Sequence, residues 1–305
     1  MKNPYLLLTF ATLFWAGNFV LSKAMSTEIP PVALAFWRWS MAFLLLIVVA
    51  RKQALSDWPQ IARNIPVLIP ISFFGVAAFN TLIYIGLQDT TALNSLLLQS
   101  FFPVVVAGMS FIFLGERLRR WQVVGILLSL CGTLLLVARG NPAVLLSANF
   151  NDGDLWIITA VFCYASYAIL LRYRPPVHAL SFLVITFGLG TLMLLPFYLW
   201  EHTHIAQIRW EHNTVLTIAY LAVFPSFISY LFFNEAVRRI GASTAGLFSH
   251  LVPLFGVSMA ILLLGERFHS YHAVGACLIF SGIFLVIRHK KARQQNRVIK
   301  ENKYY

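Results

Sequence analysis

Two side chains in the middle of this sequence's long apolar runs can carry or exchange a charge. Arg38 lies about seven residues inside a run that opens at Pro31. On insertion scales a charge at membrane depth costs about 3 kcal/mol or more. Arg38 must therefore snorkel outward or find a partner, either a backbone carbonyl or the carboxylate of a bound solute. His250 is the one histidine in mid-run. An imidazole titrating near neutrality can relay a proton; it can equally serve as a hydrogen-bonded structural residue. No Asp or Glu occupies mid-run, since Glu116, Glu235 and Glu266 stand at run ends. That speaks against a carboxylate proton relay and leaves facilitated diffusion, or coupling through His250 or the solute itself.

The other chemically capable residues come in pairs about 150 apart. Trp15 and Asn18 correspond to Tyr164 and Tyr167, Asn80 and Tyr84 to Tyr230 and Asn234, and Gln99 and Ser100 to Ser249 and His250. Spacings of i,i+3 and i,i+4 put each pair on one helix face. Pro103 and Pro253 follow the last pair by one turn. A proline frees the carbonyl four residues earlier, here those of Gln99 and Ser249, so each helix is expected to bend there. Together these residues suit a cavity lined by aromatic rings and hydrogen-bonding groups, fit for an amphipathic solute such as an amino acid. The competing roles are interfacial aromatic belts and polar ties between helices.

The elements that must position them are membrane helices. Of 305 residues, 59% are hydrophobic and 11% charged, against about 25% charged in a soluble domain. A helix of about 20 apolar residues crosses a bilayer, and ten such runs are read: 4–24, 31–50, 66–87, 92–114, 121–139, 154–172, 179–200, 214–234, 242–264 and 270–288. The first run follows a basic Lys2 but has no small-residue cleavage site, so it is kept as a membrane helix rather than a signal peptide. With the N-terminus cytoplasmic, eighteen Lys and Arg fall on the cytoplasmic side and four on the other, which predicts both termini inside. The net charge of +12 forms no aromatic-interleaved stripe, so no nucleic-acid partner is expected. The basic segment 289–305 reads as a solvated, disordered cytoplasmic tail. Cys131, Cys163 and Cys277 all lie in apolar runs and are expected to be unpaired core residues.

The repeat is the strongest internal signal. Residues 92–137 align with 242–287 without a gap: Pro103 meets Pro253, Leu114-Gly115-Glu116-Arg117 meets Leu264-Gly265-Glu266-Arg267, and Gly125 and Gly132 meet Gly275 and Gly282. The copies differ in charge. Leu118-Arg119-Arg120 follows the first motif and Phe268-His269-Ser270 the second, as expected if the motif meets opposite membrane faces. Five spans per copy force that inversion, a hallmark of secondary transporters. The expected organisation is an all-α polytopic protein: a first five-helix repeat over 1–139, a linker over 140–153, and a second, inverted repeat over 154–288.

Phe14-Trp15-Ala16-Gly17-Asn18-Phe19, Phe36-Trp37-Arg38 and the two Leu-Gly-Glu-Arg motifs resemble the drug/metabolite transporter superfamily, specifically its EamA family, over roughly 4–288. The resemblance implies a multi-pass carrier of the bacterial inner membrane, often an exporter of amino acids or related metabolites, with a central cavity between the repeats. It also implies a general structural arginine at position 38. Expected partners are a small solute and the bilayer, with no cofactor, no metal and no catalytic residue; the oligomeric state is not fixed, and a monomer is compatible. Two rivals remain. One is a carrier of drugs, sugars or nucleosides. The other is a membrane enzyme with a metal site in the link 201–213, where Glu201, His202, His204, Glu211 and His212 cluster.

Overall fold

A computed structural model describes residues 3–146, 150–264 and 267–301. Glu266 and Lys2 lie outside the described residues. Ten helices are long and apolar enough to cross a membrane: α1 (Pro4–Ala24), α2 (Pro31–Ser56), α3 (Ile65–Asp89), α4 (Leu93–Leu114), α5 (Arg120–Val137), α6 (Asp152–Tyr173), α7 (Ala179–His204), α8 (His212–Ile240), α9 (Ala242–Met259) and α10 (Ser270–Arg288). No strand occurs among the described residues.

Local chemistry sets the ends. Asn3 Oδ1 accepts the Tyr5 N–H at 3.0 Å to start α1, and Asn151 and Asp154 cap each other at the start of α6, satisfying amides with no helical partner. Gly115 ends α4 and Gly241 separates α8 from α9, with φ of 64° and 77°, a region glycine enters at little cost.

Several helix ends differ from the sequence reading, α8 among them, which runs on to Ile240. Helix α2 runs on through Arg51 and Lys52 to Ser56, and α7 through Glu201 and His202 to His204, because nothing there breaks a helix. The helix of α10 continues to Glu301 where a disordered tail was expected; residues 289–301 include neither Gly nor Pro and are rich in helix formers. Cys131 and Cys277 are exposed on the outer surface of the bundle rather than in its core; Cys163 is buried, and all three are free.

Packing follows an exchange rule. Helix α1 packs on α8 and α6 on α3; α1 touches α9 and α6 touches α4; α2 pairs with α7, and α5 with α10. Swapping the two halves reproduces the same set, as a pseudo-two-fold axis between the repeats requires. Helices α5 and α10 meet through glycines. A Cβ on Gly125 would lie 2.7 Å from the Gly282 carbonyl, and one on Gly132 2.7 Å from the Gly275 carbonyl. The glycine repeat is therefore used inside the chain.

Helices α2 and α7 carry reciprocal clasps. Glu201, 3% exposed at the end of α7, accepts the Val32 and Ala33 N–H groups at the start of α2, at 3.0 and 2.6 Å. Asp57, just past the end of α2, accepts the His178 N–H at the start of α7, at 2.9 Å. A carboxylate at a helix N-terminus meets both unpaired donors and the positive end of the dipole.

Candidate functional site

Two π-helical turns shape the centre: Phe73–Ala78 in α3 and Ala222–Ile228 in α8, 150 residues apart. Pro225 supplies no N–H to the Leu221 carbonyl; Ser226 Oγ donates to that carbonyl instead, at 2.6 Å. Each turn presents a carbonyl to an aromatic donor. Tyr230 OH donates to Gly75 O, and Trp15 Nε1 donates to Pro225 O at 3.3 Å. Gly75 is obligatory, since a Cβ there would sit 2.2 Å from the Tyr167 ring.

Between the halves lies a cleft with about 780 Å³ of empty space, the solvent at its mouth included. Trp15, Asn18, Asn80, Gln99, Tyr164 and Tyr230 line it, with Phe79, Phe102, Ser249 and Pro253. Six of the eleven binding candidates read from sequence thus line one cleft. Tyr164 is the aromatic centre: its ring centroid lies 4.2 Å from Phe79 and 5.7 Å from Trp15. The Tyr164 hydroxyl and Ser249 Oγ are buried without a hydrogen-bond partner. Phe19, Leu96, Val252 and Pro253 are shared with a second cleft that reaches Lys23, Arg139 and Tyr271. Tyr164 also stacks on Tyr167 and lies tilted against Phe233, with ring centroids 5.4 Å apart in each pair.

The remaining candidates sit behind the wall. Arg38 is 1% exposed and does not snorkel. Its Nε donates to Ser226 Oγ at 2.5 Å, and its Nη1 reaches Asn18 Oδ1, Asn80 Oδ1 and Tyr84 OH at 3.0, 2.8 and 2.5 Å. Tyr84 OH donates onward to Asn18 Oδ1 at 3.0 Å. No carboxylate among the described residues lies within ion-pair distance of Arg38. In the other half Tyr167 OH donates to Asn234 Oδ1 at 2.6 Å. His250 is fully buried; its Nε2 faces the Ser100 carbonyl at 2.8 Å and its Nδ1 the Ser129 hydroxyl at 2.7 Å. The imidazole thus ties α9 to α4 and α5.

The helices of the proline pair change course where the prolines stand. In α4 the helix stops at Gln99 and resumes at Phe102, just before Pro103; in α9 a 3₁₀ turn over Leu247–His250 precedes Pro253. The carbonyl in use at the first break is that of Ser100, one residue beyond the one expected, because the break falls at Ser100 and Phe101.

Residues 2–138 and 151–288 each match the EamA-like transporter family. The chain belongs to that family. A protein named "Uncharacterized transporter YyaM" of Bacillus subtilis is 27% identical over 92% of each chain. Two proteins named "Probable amino-acid metabolite efflux pump" are 28% and 27% identical, from Salmonella typhimurium over 97% of this chain and 98% of that one, and from Escherichia coli over 93% and 94%. A crystal structure shares the fold with a TM-score of 0.72 at 19% identity, covering 93% and 96% of the chains. This EamA-like chain is a multi-pass membrane transporter.

Several residues that build the site were not read from sequence. Ser129, Gly75, Pro225 and the Asp154 carboxylate all matter to it. The Gly75–Pro225 correspondence at 150 residues was the available signal for the π turns. Asp154 is 1% exposed; it accepts from Thr90 Oγ1, from Asn94 Nδ2 at 3.1 Å and from the Asn151 N–H at 3.0 Å, fixing the α3–α4 link to α6. Glu201 was read as part of a polar loop, with a metal site there only as a rival. It is helical and caps α2, and no group of three or more His, Cys, Asp or Glu among the described residues is placed to hold a metal.

Proposed function

We propose that the protein exports amino acids or related small amphipathic metabolites across the cytoplasmic membrane by alternating access between its two repeats. The observation that carries this is the cleft itself. It lies at the interface of the halves, as substrate sites do in inverted-repeat carriers, and joins a large aromatic wall to unpartnered hydroxyls. The names of the Salmonella and Escherichia relatives support the solute class. The repeats span 1–139 and 154–288, and both termini are cytoplasmic on the Lys and Arg count. In that orientation the second cleft leads outward from the site, so the conformation is outward-open and the Tyr164–Tyr167–Phe233 stack is the inner barrier.

The test is counterflow in proteoliposomes with labelled amino acids, polyamines, nucleosides and sugars. Saturable exchange of amino acids is the expected result. Exchange confined to sugars or inorganic ions would overturn the reading.

A further inference from the structure

Resting on that reading, we infer that Arg38 makes the cleft selective for solutes bearing a carboxylate and closes it to cations that lack one. An arginine side chain has only donors. Every group it touches must turn an oxygen toward it, and Asn18 and Asn80 do so, at 3.0 and 2.8 Å. Their amide nitrogens are therefore forced to the other side, and both residues line the cleft. The Asn80 nitrogen makes one long contact, 3.5 Å, to Tyr230 OH. The cleft wall over Arg38 is consequently a face of N–H donors.

Behind that face stands a full positive charge whose partners are all neutral. Charges in a low-dielectric interior act over longer distances than in water, so the donor face carries a positive potential. Donors backed by an unneutralised guanidinium bind carboxylate oxygens well and oppose an ammonium group. Arg38 also keeps Nη2 without an acceptor among the described residues. No acidic side chain among the described residues lines the cleft, so a cation would find only ring faces.

The opposite wall independently points to a bound molecule. The Tyr164 hydroxyl, on a residue 3% exposed, and Ser249 Oγ have no hydrogen-bond partner among the described residues, and both residues face the cleft. They offer an acceptor and donor set for the solute's amino end, while the rings of Trp15, Phe79 and Tyr164 cover an apolar side chain. Arg38 thus acts as a positioning and selecting residue through Asn18 and Asn80.

The experiment is counterflow of matched pairs that differ by the carboxylate: L-phenylalanine against phenethylamine, and L-leucine against 3-methylbutylamine. Exchange at least tenfold faster for each acid is expected. Equal or faster exchange of the amines would overturn the selectivity while leaving the carrier intact; movement of neither series would sink the amino-acid reading as well. Asn18→Asp then puts an anion against Arg38 and removes the donor face without changing size. The expected result is an acid-to-amine preference that falls at least tenfold in folded protein, judged by size exclusion. Asn80→Asp serves if the first variant does not fold. A preference unchanged in a folded variant contradicts the role of the donor face.

Discussion

The two polar clusters flanking the cleft are the same positions of two repeats, and they are built differently. Around Arg38, residues Asn18, Asn80 and Tyr84 converge on one guanidinium and are bound to it, and Tyr84 is bound to Asn18 as well. Their counterparts Tyr167, Tyr230 and Asn234 share one internal bond, Tyr167 to Asn234 at 2.6 Å, and the Asn234 amide nitrogen is buried without a partner. The difference traces to a single side chain. Helix α7, the counterpart of α2, has no Lys or Arg anywhere in its length, and near the axis it offers Phe187, which packs on Trp39 with centroids 4.7 Å apart. One half is fixed by a charge, whereas the other closes by ring stacking. Stacked rings part without stranding a charge, so the half lacking the arginine is the one suited to open.

The largest effect is expected from Arg38→Met. Removing the guanidinium leaves the buried oxygens of Asn18, Asn80 and Tyr84 short of donors, each costing about 1–3 kcal/mol. Transport should be abolished and most of the folded protein lost, measured by fluorescence-detected size exclusion; near-normal yield would mean that the cluster does not depend on its charge.

Where the halves are alike, effects should match. Gly132→Leu and Gly282→Leu occupy corresponding positions, with Cβ sites 2.7 Å from the Gly275 carbonyl and 2.4 Å from the Gly125 carbonyl. Each should cost roughly 1–3 kcal/mol, the range for overpacking. Thermal unfolding should shift equally in both variants, and a one-sided loss would break the symmetry of the α5–α10 seam.

Tyr167→Phe removes the only internal bond of the second cluster. A loss of about 1 kcal/mol is expected, with transport retained and the inner barrier easier to open. Faster labelling of a cysteine placed at Gln99 by a reagent supplied from the cytoplasmic side would register this; unchanged labelling would mean that the stack alone holds the barrier.

The clasps give the smallest effects. Glu201→Gln should cost about 1 kcal/mol by weakening a buried cap, and Asp57→Asn less, because Asp57 is more exposed. The neighbouring Ser181 hydroxyl and then the His178 backbone N–H hold the Asp57 carboxyl below its ordinary pKa. A depressed folded-state value stabilises above the unfolded pKa, about 4, and that contribution is lost as pH falls through the folded value. Melting curves between pH 7 and pH 3 should show a loss on acidification that is smaller in Asp57→Asn; identical curves would mean that the clasp contributes nothing.

The sequence revealed most of this architecture because hydropathy and the 150-residue repeat report directly on span number and two-fold pairing. Trp15, Asn80, Gln99 and Tyr230 were found in the cleft because matched polar residues on one face must meet near the axis. Arg38 and His250 drew notice as isolated polar groups, but which side of a wall they occupy depends on tertiary packing that no spacing encodes. Glu201 was misread because its partners, the Val32 and Ala33 amides, lie about 170 residues away, and a carboxylate beside histidines has the same local signature in a loop as in a cap. The π turns escaped notice because a proline or glycine in an apolar run allows a bend without specifying its register.

The most direct test of the central claim, that the cleft holds the solute, is substrate protection of a single cysteine at Gln99. In a background with Cys131, Cys163 and Cys277 replaced by serine, Gln99→Cys is labelled with a membrane-impermeant thiol reagent added outside, with and without the transported amino acid. Labelling that the amino acid slows in a saturable manner is the predicted result. Labelling that the amino acid leaves unchanged, in protein still active in counterflow, would place the solute elsewhere and contradict the account.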